Sequence, residues 1–78
     1  MQEDNEQIRI KQRAEFYWQE KLRCHVKVKP TGFKNGYIKS DLINGKSYLF
    51  EDLKFPGKIE RLLLVEIFDI KDYEEPIE

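Results

Sequence analysis

Between residues 21 and 61 the chain carries ten basic residues against four acidic ones. Such a stretch offers anion binding, and phosphate is the common anion presented along a polymer. Lys27, Lys29, Lys34, Asn35 and Lys39 stand close together within it. Four ammonium groups and one amide are suited to phosphate oxygens and to base edges. Tyr37 and Tyr48 lie nearby and could stack on bases if exposed. The flanks oppose this charge. Residues 1–20 hold five acids and three bases, residues 62–78 hold six acids and one base, and the whole chain sums to −1. The same distribution also fits ordinary solvated faces, because a near-neutral total gives little long-range steering.

Other chemistries lack their parts. His25 is the only histidine and Cys24 the only cysteine, so an internal disulfide and a His/Cys metal site are both ruled out. No phosphate-cradling glycine loop and no nucleophile elbow occurs. Glu74 and Glu75 form an acid pair in a terminal run with nothing to separate their acidities. No enzyme activity and no cofactor is expected. His25 reads as a surface bystander and Cys24 as a small core hydrophobe. No apolar run is long enough to span a bilayer, and the acidic start is unlike a secretion signal, so a cytoplasmic location is expected.

Positioning these residues requires a small β scaffold. Seventy-eight residues make one domain, with 40% hydrophobic content to fill its core. Residues 3–21 read as a helix capped by Asp4 or Asn5, with Ile10, Ala14, Tyr17 and Trp18 on one stripe and Phe16 at its margin. Pro30-Thr31-Gly32, Asn44-Gly45 and Pro56-Gly57 then punctuate short strands at residues 22–29, 33–42, 46–52 and 59–65. A tight turn at residues 65–67 leads to a fifth strand at 68–73 and an acidic tail at 74–78. The expected fold is mainly β with one N-terminal helix, a five-stranded antiparallel barrel over residues 22–73. In the first strand Cys24, Val26 and Val28 face inward and the lysines outward. Phe33 and Ile38 both look like core residues, and a bulge at Gly36 would reconcile their opposite parity. The run Leu62-Leu63-Leu64-Val65 asks for cover on both faces.

A helix followed by five short strands with a bent second strand resembles the Sm-like family of SH3-like barrels. The likeness rests on Gly32-Phe33-Lys34-Asn35-Gly36-Tyr37-Ile38 and on Leu62-Leu63-Leu64-Val65-Glu66-Ile67-Phe68-Asp69-Ile70, and spans residues 10–73. Asp41 and Asn44 stand near the Asp and base-contacting Asn of that family, one residue closer together. The Arg-Gly that usually precedes the last strand is replaced by Val65-Glu66. The resemblance implies rings built by pairing of the fourth and fifth strands, and single-stranded RNA as ligand. The expected function is therefore a non-enzymatic nucleic-acid-binding module for RNA, using Lys27, Lys29, Lys34, Asn35 and Lys39 on the outer face of the first strands. A homo-oligomer is expected through Leu62, Leu63, Leu64, Val65 and Phe68. The rival reading is a protein–protein adaptor that docks through the barrel and the aromatic helix.

Overall fold

The computed structural model describes residues 5–74. Asp4 and residues 75–78 of the acidic tail lie outside the described residues. One helix, α1 (Asn5–Glu20), precedes five strands: β1 (Cys24–Val28), β2 (Phe33–Ile38), β3 (Ser47–Asp52), β4 (Ile59–Leu63) and β5 (Ile67–Asp72). A single 3-10 turn, Leu64–Glu66, separates β4 from β5. Good helix formers without Pro or Gly sustain α1, and Glu6 sits in its first turn, where the helix dipole favours an acid. The helix ends at Lys21, which adopts φ 56°, while the Leu22 N–H donates to the Tyr17 carbonyl at 3.3 Å. That is a Schellman closure with lysine in the place glycine usually takes.

All five strands pair antiparallel in the order β4-β3-β2-β1-β5. The three turn signals fall at the three hairpin connections. Asn44 and Gly45 both have positive φ, 53° and 70°, and the Lys46 N–H donates to the Ile43 carbonyl at 2.9 Å. These are the marks of a type I′ hairpin turn. β2 is shorter than expected because Ser40 interrupts the ladder: its hydroxyl, rather than a carbonyl, accepts the Leu49 N–H at 2.9 Å.

The expected closed barrel is not found. The sheet is open, with β4 and β5 as its two edges. Where closure would occur, α1 lies against β5 instead. Arg9 meets Asp69 at 3.6 Å, Arg13 donates to the Ile70 carbonyl at 2.7 Å, and the Tyr17 hydroxyl donates to Asp72. Three residues spaced four apart form one stripe on a helix, so this polar seam runs beside the buried Ile10 and Ala14. The core joins those two and Tyr17 to Cys24, Val26, Ile38, Tyr48, Phe50, Leu62, Leu64, Ile67 and Ile70. Trp18 packs at its margin and Phe16 stays exposed.

The expectation for Phe33 and Gly36 is overturned. Register pairs Cys24 with Gly36 and Val26 with Lys34, so residues 34, 36 and 38 of β2 share the inner face. Phe33 is on the opposite face and 59% exposed. No bulge is needed. Gly36 is required for a different reason: a Cβ there would fall 2.0 Å from the Glu51 carbonyl oxygen and 2.9 Å from Phe50 Cζ. Backbone oxygen cannot yield as a flexible side chain would. Gly36→Ala should therefore destabilise the fold by about 3 kcal/mol or more, beyond ordinary overpacking of one methyl. A chemical denaturation midpoint equal to that of the parent protein would contradict this.

Candidate nucleic-acid interface

β1 and β2 form a hairpin whose outer face is set by its register. Lys27 lies opposite Phe33, and His25 opposite Asn35. On the other side of β1, Lys27 faces Asp69 and His25 faces Lys71. The outer face thus brings together an aromatic ring, an imidazole, an amide, two lysines and the Asp69 carboxylate, which Arg9 meets at 3.6 Å.

Two contacts hold the centre of this face. The His25 ring stacks on Phe33, with centroids 4.9 Å apart and planes at 28°. His25 Nδ1 lies 2.6 Å from Asn35 Oδ1. A carbonyl oxygen can only accept, so Nδ1 carries the proton of this bond. Next to the pair, the Arg23 guanidinium sits 5.2 Å from the centre of the Tyr73 ring. Phe33, Asn35 and Tyr73 line two adjoining recesses of about 310 Å³ and 180 Å³. Lys71 borders the larger and Lys54 the smaller.

The five residues expected to form the site divide. Lys27 and Asn35 share the outer face. Lys29 is exposed just beyond β1, where its backbone N–H donates to the Glu66 carbonyl at 2.7 Å. Lys39 is exposed just beyond β2 on the outer side, 4.0 Å from Glu51 and 6.0 Å from the centre of the Tyr37 ring. Lys34 departs from expectation. It shares the inner-face parity of Gly36 and Ile38, and its ammonium lies 2.7 Å from Glu60 Oε1 on β4. Its charge is spent on that pair. Tyr48 is also withdrawn, at 2% exposure, whereas Tyr37 stays half-buried on the outer side. Asp41 accepts the Leu42 N–H at 2.8 Å, and Asn44 builds the hairpin turn.

Sequence reading passed over His25, Phe33, Lys71 and Tyr73. The signal for the first two lay in the turn at Pro30-Thr31-Gly32. A tight hairpin there sets residue 27 against 33 and 25 against 35, which puts ring, imidazole and amide on one face with the lysine.

The expected oligomer contacts divide as well. Leu62 and Leu64 are buried at 5% exposure, while Leu63, Val65 and Phe68 remain exposed. The β1–β5 ladder shifts register between Lys27 and Val28, so Phe68 is left without a pairing partner on β1. Leu63, Leu64 and Val65 line a further recess of 380 Å³ with Gln7, Gly45 and Lys46. Among the described residues no group of His, Cys, Asp and Glu is arranged to hold a metal ion, and no helix is long and apolar enough to cross a membrane.

Three protonated groups lie in the core. Burial pushes the Cys24 thiol up to about 12, which keeps it from acting as a nucleophile. Burial likewise pushes Tyr48 up to about 12. Tyr17 is raised further, first by burial and then by its hydrogen bond to the Asp72 carboxylate. No family model, curated protein or solved structure matches the chain.

Each of these groups holds its proton more tightly folded than unfolded. The stability they supply is complete below the unfolded values, at about 8.5 for cysteine and about 10 for tyrosine, and is lost as pH rises through the folded ones. The melting temperature should accordingly be insensitive to these groups at neutral pH and should fall increasingly above about pH 9. Tyr17→Phe removes one of the three and should shallow that decline. An unchanged slope in the variant would contradict the assignment.

Proposed function

We propose that this chain is a small, non-enzymatic RNA-binding module of Sm-like type. Its RNA surface is the outer face of the β1–β2 hairpin. The observation that carries the reading is the exposed Phe33 ring, stacked on His25 and opposite Lys27. Single-strand binders pair cationic side chains that track phosphates with rings on which any base can stack. Lys29 and Lys39 extend the cationic side to the two ends of the hairpin. The five antiparallel strands, the turn between the fourth and fifth, and the lone N-terminal helix support the Sm-like part of the proposal.

Self-association belongs to the same reading, through β4. The Leu64 N–H donates to the Lys46 carbonyl at 2.8 Å. By ladder alternation, the peptide groups of Ile59, Arg61 and Leu63 then turn toward the open edge. The Val28 N–H donates to the Gly32 carbonyl at 3.1 Å. The same alternation turns the Ile70 carbonyl to the outer edge of β5, and there Arg13 already occupies it. A ring that joins the fourth strand of one copy to the fifth of the next would have to displace α1. Two copies meeting β4 to β4 would not.

The adaptor reading draws on a separate observation, the exposure of the apolar side chains of Leu63, Val65 and Phe68. It gains ground if RNA fails to bind.

Fluorescence polarisation with labelled single-stranded RNA and DNA tests the main proposal. Three lysines on phosphates predict a roughly tenfold to twentyfold loss of affinity between about 50 and 200 mM salt. Replacing Lys27 and Lys29 together by alanine should weaken binding and reduce the salt slope by about 1.4. No binding at low salt would sink the proposal. Light scattering at micromolar concentration is expected to give twice the 9.5 kDa chain mass. Leu63→Lys is expected to return the monomer mass, and a parent protein already monomeric would remove the β4 contact.

A further inference from the structure

We infer that the recess between Phe33 and Tyr73 seats one unpaired nucleobase. This rests on the RNA-binding reading and says which part of the nucleotide enters which part of the surface.

The ring of Phe33 has one face on His25 and is 59% exposed, so its other face is free to take a partner. A ring already fixed by stacking loses little rotamer freedom when a base is added to it. The amide of Asn35 is fixed too. Its Oδ1 is held by His25 Nδ1 at 2.6 Å, which fixes the direction in which its N–H groups can donate. A base carbonyl or ring nitrogen is the complementary acceptor.

The rings mark the seat: Phe33 and Tyr73 line both parts of the recess. The lining around them is mixed in charge, with Lys71, Asp72 and Glu74 in the larger part and Lys34, Asp52 and Lys54 in the smaller. The carboxylates are otherwise engaged: Asp72, opposite the buried Cys24, accepts from Tyr17 on the inner side, and Asp52 Oδ1 accepts the Lys54 N–H at 2.8 Å. A planar base can stack on a ring face there, which a phosphate cannot do. Cations stand next to the rings: Lys27 across from Phe33, Lys71 in one part of the recess and Lys54 in the other. A strand crossing the hairpin therefore runs its phosphates past these lysines and turns one base inward onto Phe33.

The experiment compares three oligomers of about eight nucleotides: oligouridylate, oligoadenylate and an abasic ribose-phosphate chain of equal charge. The two base-bearing chains should bind at least about tenfold more tightly than the abasic one. Phe33→Ala should bring them down to the abasic level with an unchanged melting curve. Lys27→Ala should weaken all three by the same factor. As an independent reading on the parent protein, an oligomer carrying one 2-aminopurine should lose fluorescence on binding, as the probe stacks. Equal affinity for abasic and base-bearing chains, or a 2-aminopurine signal that does not change on binding, would overturn the base seat and leave phosphate binding intact. Absence of binding by all three would overturn the RNA reading itself.

Discussion

The close approach of β3 to β2 at Gly36 is the constraint on which the rest of this structure depends. A side chain at that position would collide with the Glu51 carbonyl oxygen. Without one, Phe50 moves over the inner face of β2 and is fully buried. The sheet can then curl enough for β2 and β4, which are not neighbours, to meet through Lys34 and Glu60. The curl makes a concave side narrow enough for a single helix to cover. Ile10, Ala14 and Tyr17 complete a core that five short strands alone could not enclose.

Much of this was legible in the residues. Turn chemistry is local: Asn44-Gly45 accepts two positive φ angles because those residue types tolerate them, whatever the sheet does. The helix stripe was legible for the same reason. The orientation of β2 was not. Phe33 is large and apolar, and the hydrophobic effect taken residue by residue assigns it inward. Register overrides that assignment, because Gly36 must face Phe50 and alternation then sends Phe33 out. Lys34 was misjudged by the same rule in reverse. Its inward position is tolerated because Glu60 pairs with it. The open sheet could not be foreseen either, since the helix seam against β5 joins residues more than fifty apart.

The outer face follows from these errors of parity. An aromatic ring forced out of the core is normally a cost. Here it finds an imidazole to stack on, and that imidazole is fixed by an amide directly across the ladder. Three side chains from two strands hold one another in a single arrangement. Such a surface is ordered before any ligand arrives. The lysines around it are long and mobile, which suits contact with a backbone whose phosphates can shift.

The seam between α1 and β5 joins the first described element of the chain to the last. Arg13 and Ile70 are 57 positions apart, and Tyr17 and Asp72 are 55 apart. During synthesis the helix is made first, and its polar seam has no partner until the final strand has been completed. The four strands made before it can pair as local hairpins, but their concave side stays wet. Completing the core therefore requires a loop closure that spans nearly the whole described chain, added to three local hairpins. Loss of order at either end of the chain would expose the same side of the same core.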